Sequence, residues 1–273
     1  MPRADNHDSH RRLHKERLLA RLEFIERLGV RAVSKADLCE KAPATPARPE
    51  NTASSISTPA PFQPAAQVSL FEALTAKNRS EALDPQSRQQ ELERIRAEIG
   101  DCQRCRLSEK RTKIVFGEGH PAARLVFAGE GPGHDEDVTG RPFVGRAGQL
   151  LDKIIAAMGY KREDCYICNV VKCRPPENRT PQDDEMRICG QFLARQLQVI
   201  RPRVIVALGA TAARYLLNTT QAMGKIRGRF FPYEDFARLM PTFHPAYLLR
   251  NPAAKKDVWE DMKQVMAYLK EKS

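Results

Sequence analysis

RVIVALG, residues 203–209, is an unbroken apolar run from Val204 to Leu208, closed by a glycine. A strand with one wet face alternates apolar and polar residues, so a run apolar at every position reads as a strand covered on both faces. Working outward, RLVFAG (124–129), YICNVV (166–171) and RLMPTF (238–243) have the same character. Helical patterns lie between them: 146–158 stopping at Gly159, 183–200, a segment carrying Ala212, Tyr215 and Leu216, and 254–269 closing the chain. A further helix over 88–99, with Leu92, Ile95 and Ile99 on one face, stops at Gly100. Buried strands separated by helices predict an α/β domain over 88–273, three-layered, with a central, mostly parallel four-stranded sheet and helices on both faces.

The first third of the chain reads differently. Residues 1–41 form a basic segment in which 8–29 has amphipathic helical spacing (Leu18, Leu22, Ile25, Leu28, then Gly29). Residues 42–87 are expected to be a disordered linker, richest in Pro, Ala, Ser and Thr over 42–66. No eighteen-residue apolar run and no apolar leader is present, so a cytosolic protein without membrane association is expected. Lys and Arg outnumber Asp and Glu by 45 to 34, a net charge of +11, which suits a polyanionic partner and equally a basic enzyme that never meets nucleic acid.

In a parallel sheet the ligand site lies beyond the carboxyl ends of the strands. Those ends carry Gly129-Glu130-Gly131-Pro132-Gly133, then Asn169, then Thr242-Phe243-His244-Pro245, so a carboxylate, an amide and an imidazole share one edge. The glycines fit neither G-x-G-x-x-G nor a P-loop, which argues against a nucleotide-binding loop.

Seven cysteines in a chain expected to stay reduced read as metal ligands or core thiols rather than disulfides. Two C-x-x-C pairs, 102/105 and 165/168, suggest a four-cysteine zinc site, but the second pair lies on a strand and points to opposite faces. Cys173, in the loop after that strand, and Cys189, early in the next helix, are better companions for Cys102 and Cys105. Spacing leaves zinc and an iron–sulfur cluster both open.

GEGPGHDEDVTGRPFVGRAGQLL, YICNVVKCRPPENR, RPRVIVALG and TFHPAYLLRNP, with the four spaced cysteines, closely resemble the family 4, iron–sulfur, uracil-DNA glycosylases over about residues 97–270. The resemblance implies a uracil-DNA glycosylase-like fold and a [4Fe-4S] cluster on Cys102, Cys105, Cys173 and Cys189. It also implies a monofunctional enzyme of base excision repair that hydrolyses the N-glycosidic bond of uracil in DNA and leaves an abasic site. Glu130 would position the attacking water and His244 would donate to uracil O2. Asn169 would pair with O4 and N3–H, and Phe143 would stack on the base beside the Gly129 and Gly131 backbone. Leu248 or Leu249 would wedge into the duplex, with Arg250 on phosphate. Position 131 departs from the usual Ala, which is expected to loosen the backbone beside Glu130. A related branch that traps the abasic sugar has Gln in this loop and a histidine-containing insertion, neither of which is present.

The alternative from another class is a non-catalytic DNA-binding iron–sulfur protein that senses damage or redox state; it would keep the cysteines without needing Glu130, Asn169 and His244 together. Gln67-Val68-Ser69-Leu70-Phe71 has two readings: a peptide docking on a sliding clamp through Gln67, Leu70 and Phe71, or the start of a helix packed on the domain. Otherwise a monomer is expected.

Overall fold

The computed structural model describes residues 84–271; the segment 8–29, the linker 42–87 as far as residue 83, and the peptide 67–71 lie outside the described residues, while Pro85–Ser87, expected in the linker, open the first helix instead. Helix α1 (Pro85–Ile99) begins three residues before the expected Arg88, because Asp84 accepts from the main-chain N–H of Gln86 (2.8 Å) and Ser87 (3.1 Å) and Pro85 sits in the first turn. It ends at Gly100, whose φ of 49° favours glycine.

Six strands form one mixed sheet: β1 (Glu118–Gly119), β2 (Leu125–Gly129), β3 (Tyr166–Asn169), β4 (Val204–Leu208), β5 (Phe231–Tyr233) and β6 (Ala237–Thr242), in the order β1-β3-β2-β4-β6-β5. The four expected strands are the four parallel ones at the centre, β3-β2-β4-β6. The two additional strands are antiparallel edges of two and three residues. The remaining helices are α2 (His134–Thr139), α3 (Arg146–Ala157), α4 (Asp183–Ile200), α5 (Ala210–Leu217), α6 (Met223–Ile226), α7 (Pro245–Arg250) and α8 (Lys255–Glu271).

Strand parity divides the core between the faces of the sheet. Val126, Ala128, Cys168, Ile205, Ala207 and Leu239 pack with Leu92, Ile95 and Ile99 of α1 and Phe192, Leu193 and Leu197 of α4. Leu125, Phe127, Ile167, Val206 and Met240 pack with Leu151 and Ile155 of α3 and Val258, Met262 and Val265 of α8. Cys165 and Cys168 fall into opposite layers, as the strand reading requires. From β2 the chain crosses to β3 on one side and later returns to β4 on the other, so the crevice beyond the carboxyl ends of β2 and β4 is the topological switch point.

One buried polar group ties α8 to β6 just before His244. Asp261, 1% exposed, accepts from the Thr242 hydroxyl at 2.6 Å and from the Arg227 guanidinium at 2.7 Å. Removing the carboxylate leaves the buried Thr242 hydroxyl without its acceptor and takes the charge partner from Arg227, which keeps the Asp257 carbonyl at 2.6 Å. Asp261→Ala is expected to lower stability by about 3 kcal/mol, read as a lower urea midpoint at unchanged slope, with Asp261→Asn losing less.

Candidate active site

At the switch point two side chains close on the backbone of residue 129, which has no side chain of its own. A Cβ there would lie 2.4 Å from Asn169 Oδ1 and 2.5 Å from Phe143 Cζ. Gly129 and Asn169 are register partners at the ends of β2 and β3, so the amide, the aromatic ring and the bare backbone border one narrow space. Asn169 is 1% exposed and its Oδ1 has no hydrogen-bond partner, an acceptor buried without a donor. Such an atom costs about 1–3 kcal/mol unless a ligand supplies the donor.

Phe143 holds a left-handed backbone, φ 52°, which is uncommon for an aromatic residue. Three neighbours impose it. Arg162 donates to the carbonyls of Pro142 (2.5 Å) and Phe143 (3.3 Å) while paired with Glu118 and Asp152. Glu136 takes the N–H of Val144 and of Gly145, both at 2.9 Å, and with its other oxygen that of Gly133 at 3.0 Å, clamping the Gly131–Gly133 loop to the Phe143 loop. A Cβ at Gly148 would lie 1.9 Å from the Phe143 carbonyl oxygen, so the first turn of α3 lies hard against this backbone.

The Phe143 ring lies 5.6 Å from that of His244, tilted by 31°. His244 caps α7, its Nδ1 accepting from the Ala246 N–H at 3.1 Å. Because Nδ1 accepts, the neutral ring carries its proton on Nε2, which is left as a donor. Burial, assisted by the Arg250 charge, pushes the His244 pKa from 6.5 down to about 4. Glu130, directly after β2, is shifted the other way: burial pushes its carboxyl up, opposed by a hydrogen bond from Thr211 in the first turn of α5. That bond spans the switch point from β2 to the end of β4. Thr211, Arg162 and Glu136 were not singled out from the sequence, since a hydroxyl at a helix start and long-range ion pairs carry no local signature.

Gly131 does not have positive φ, and a Cβ there would meet Val171 Cγ2 at 2.7 Å. The expected loosening is therefore corrected: a valine methyl fills the space an alanine would take. The α7 segment also requires a correction. Leu248 is 1% exposed and belongs to the α3–α8 core layer, whereas Leu249, 38% exposed, projects outward with Arg250 and with Tyr247, whose ring stacks on Phe243 at 4.9 Å. Of the two leucines, only Leu249 is free to meet a partner.

Cys102, Cys105, Cys173 and Cys189 line one hollow, walled by Ile99, Ile114, Ile188 and Phe192. Among the described residues no three His, Cys, Asp or Glu side chains are grouped to hold a single metal ion. Each sulfur nevertheless faces an N–H donor. Arg104 reaches Cys102 at 3.3 Å, Arg111 reaches Cys173 at 3.7 Å, and the Lys172 main chain reaches Cys189 at 3.2 Å; the Leu107 main chain serves Cys105. Burial pushes the bare Cys173 thiol up to about 12, so thiolates here need a bound positive centre. Cys165 and Cys168 behave as core thiols: burial raises Cys165 to about 12 and Cys168 to about 11, and Cys168 Sγ points at the Phe127 carbonyl oxygen at 3.8 Å.

The lowered His244 pKa has a directly measurable consequence. The ring should stay neutral down to about pH 4, with its proton on Nε2, as read from imidazole nitrogen shifts. Because the unfolded chain binds that proton near pH 6.5 and the folded chain only near 4, stability should fall as pH is lowered through this window, and His244→Gln should flatten that part of the curve.

Residues 116–263 match the uracil DNA glycosylase superfamily. A type-4 uracil-DNA glycosylase of Thermotoga maritima is 46% identical over 187 residues, covering 67% of this chain and 97% of that protein. One from Saccharolobus solfataricus is 41% identical over 189 residues, covering 66% and 88%, and one from Archaeoglobus fulgidus is 41% identical over 181 residues, covering 64% and 91%. With an α/β sheet whose switch point is lined by Glu130, Asn169 and His244, and with this coverage of whole relatives, the chain belongs to the uracil DNA glycosylase superfamily.

Proposed function

We propose that the protein hydrolyses the N-glycosidic bond of deoxyuridine in DNA, releasing uracil and leaving an abasic site as a monofunctional glycosylase of base excision repair. The observation that carries this reading is the unpaired Oδ1 of Asn169, buried against Phe143 over the bare backbone of Gly129. A flat pyrimidine flipped from the stack would stack on that ring and pair with that amide. Uracil N3–H supplies the missing donor and O4 takes the amide N–H, whereas the unprotonated N3 of cytosine would set acceptor against acceptor.

Bond cleavage moves negative charge onto the base and positive charge onto the sugar. His244, neutral with Nε2–H free, donates toward uracil O2, a bond that strengthens as the charge arrives. Glu130, held by Thr211, orients the water and offsets the sugar cation. Phe143 fixes the ring plane. Outside the pocket, Leu249 fills the vacated stack and Arg250 takes a phosphate, aided by the net charge of +11.

The four cysteines are proposed as ligands of an iron–sulfur cluster. The donor set fits: four sulfurs around one apolar hollow, each with an N–H that favours a thiolate. Bound there, the cluster would supply cross-linking of the 102–105 and 173–189 segments and fixed charge. Hydrolysis draws no electrons from it. Further, the 67–71 peptide is proposed to dock on a sliding clamp through Gln67, Leu70 and Phe71, supported by its position after a Pro-rich tether, and the protein to work as a monomer in the cytosol. The sensor alternative has no use for an acid, an amide and a neutral imidazole around one slot.

Anaerobically purified protein given a deoxyuridine oligonucleotide should yield alkali-labile sites and free uracil. His244→Ala should slow single turnover about a hundredfold with little change in DNA affinity. Absence of cleavage at enzyme excess in the parent protein would return the reading to a binding protein. Activity should fall on acidification as Glu130 protonates, above the pH usual for a carboxylate. Thr211→Val removes the bond that lowers this pKa, so the acid limb should move to higher pH. Iron analysis tests the ligand set: Cys173→Ala should lose the iron and Cys165→Ala should retain it, with equal loss in both pointing to a different four.

A further inference from the structure

The side chain of Lys172 is buried, 1% exposed, and none of the roles above uses it. It borders both special regions of the molecule. Its main-chain N–H donates to Cys189 Sγ at 3.2 Å, and it lines the cysteine hollow. Its Nζ doubles back to donate to the main-chain carbonyl of Asn169 at 2.9 Å and to Gln196 Oε1 at 2.6 Å. Gln196, fully buried, is itself fixed, donating to the Phe116 carbonyl at 3.0 Å and to the Tyr166 hydroxyl at 3.1 Å. A single residue therefore joins a cysteine sulfur to the peptide plane that carries the base-reading amide.

We propose that Lys172 is a positioning residue that couples the cysteine site to uracil recognition, holding the Asn169 peptide so that Oδ1 faces the base and passing the state of Cys189 to that peptide. Asn169 is the last residue of β3, where sheet hydrogen bonding gives way to a loop. The sheet holds its inner side through the Val170 N–H to the Gly129 carbonyl, 2.9 Å. The Asn169 carbonyl is held by Lys172 Nζ instead. Without it, the peptide can tilt about the preceding bond, and the amide must pay its orientation entropy on each binding event. If the 173–189 segment shifts, the Lys172 main chain shifts with it, and so does the origin of the side chain that holds Asn169.

This rests on the uracil and cysteine readings above, so the parent protein is first shown to release uracil and to hold iron; failure there strikes those readings. The test then compares full-length parent, Lys172→Met and Lys172→Met/Gln196→Met. The double variant leaves no Gln196 acceptor facing the methionine, although the Phe116 carbonyl and Tyr166 hydroxyl lose their donor, and thermal melting of both variants shows that at least one is folded before it is scored. Free uracil is the probe, as inhibitor of cleavage, beside a duplex with a stable abasic-site analogue, which lacks the base. Because the contact to Cys189 is main-chain, both variants should keep parental iron. Inhibition by free uracil should weaken about tenfold while affinity for the abasic duplex changes less than about twofold, the loss of one buried hydrogen bond. Removing iron with a chelator should weaken uracil inhibition in the parent and leave it unchanged in the variants, whose link is already cut. Unchanged uracil inhibition in folded variants, or equal weakening by iron removal in parent and variants, overturns the proposal, as does a parallel loss of uracil and abasic-duplex binding, which marks a purely structural lysine.

Discussion

Residue 129 cannot carry a side chain, and the rest of the site is arranged around that constraint. An added methyl would fall within 2.5 Å of both the Asn169 amide and the Phe143 ring. The strand register makes the constraint unavoidable, because Gly129 and Asn169 are paired neighbours on adjacent parallel strands. Side chains at paired positions normally lie side by side and touch. With no side chain on residue 129, the Asn169 amide and the Phe143 ring close directly onto its backbone at the carboxyl end of the sheet. Their approach is thus set by backbone pairing, more rigid than contacts between loops alone.

Bringing these groups together needs side chains held in conformations they would not choose. Phe143 in the left-handed region costs of order 1–3 kcal/mol, and an unpartnered Asn169 Oδ1 costs a similar amount. The compensation is nearby and charged: Arg162 on two successive carbonyls, Glu136 on three N–H groups from two loops, Lys172 on the Asn169 carbonyl. Each of these side chains binds backbone, which transmits position to the functional groups more directly than packing does. The charged groups are therefore scaffolding that fixes the backbone around the neutral His244 imidazole and the buried Asn169 amide.

The elements legible in the sequence are those whose burial is complete. The four central strands were readable because both their faces are covered, and α4 was found with its ends correct because Gln182-Asp183 and Ile200-Arg201 bracket a clean apolar stripe. The edge strands β1 and β5 were not readable: Glu118–Gly119 and Phe231–Tyr233 are two and three residues long, half exposed, and contain a glycine and a proline. In the site, Glu130, Asn169 and His244 stood out because strand ends concentrate them. Which of Leu248 and Leu249 faces outward depends on how α7 is rotated on the core, information that adjacent identical residues do not hold. Thr211, Arg162 and Lys172 act on groups distant in the chain or on backbone atoms, so the pattern of residue types carries no trace of what they hold.

The cysteine hollow poses a separate question of what it restrains. Helix α1 does not depend on it for attachment, since Leu92, Ile95 and Ile99 are buried against α4 and the sheet, Arg88 reaches the Ile200 carbonyl, and Arg195 pairs with Glu98. The chain on either side of the hollow, 100–113 and 172–182, is held at a few points: Asp137 takes the N–H of Thr112 and Lys113, Leu107 is buried, and Lys172 bonds Asn169 and Gln196. The second of these includes Glu177 and Asn178, both with left-handed backbone, and is otherwise secured mainly by the Arg179–Glu185 pair and by Arg106, which bonds Asp184 and Glu185. A four-sulfur link would remove conformational freedom from these two loops, one of which leads directly out of β3 and the Asn169 peptide. Such a link would act most on the loop that follows Asn169, where a small displacement moves the Asn169 peptide through Lys172.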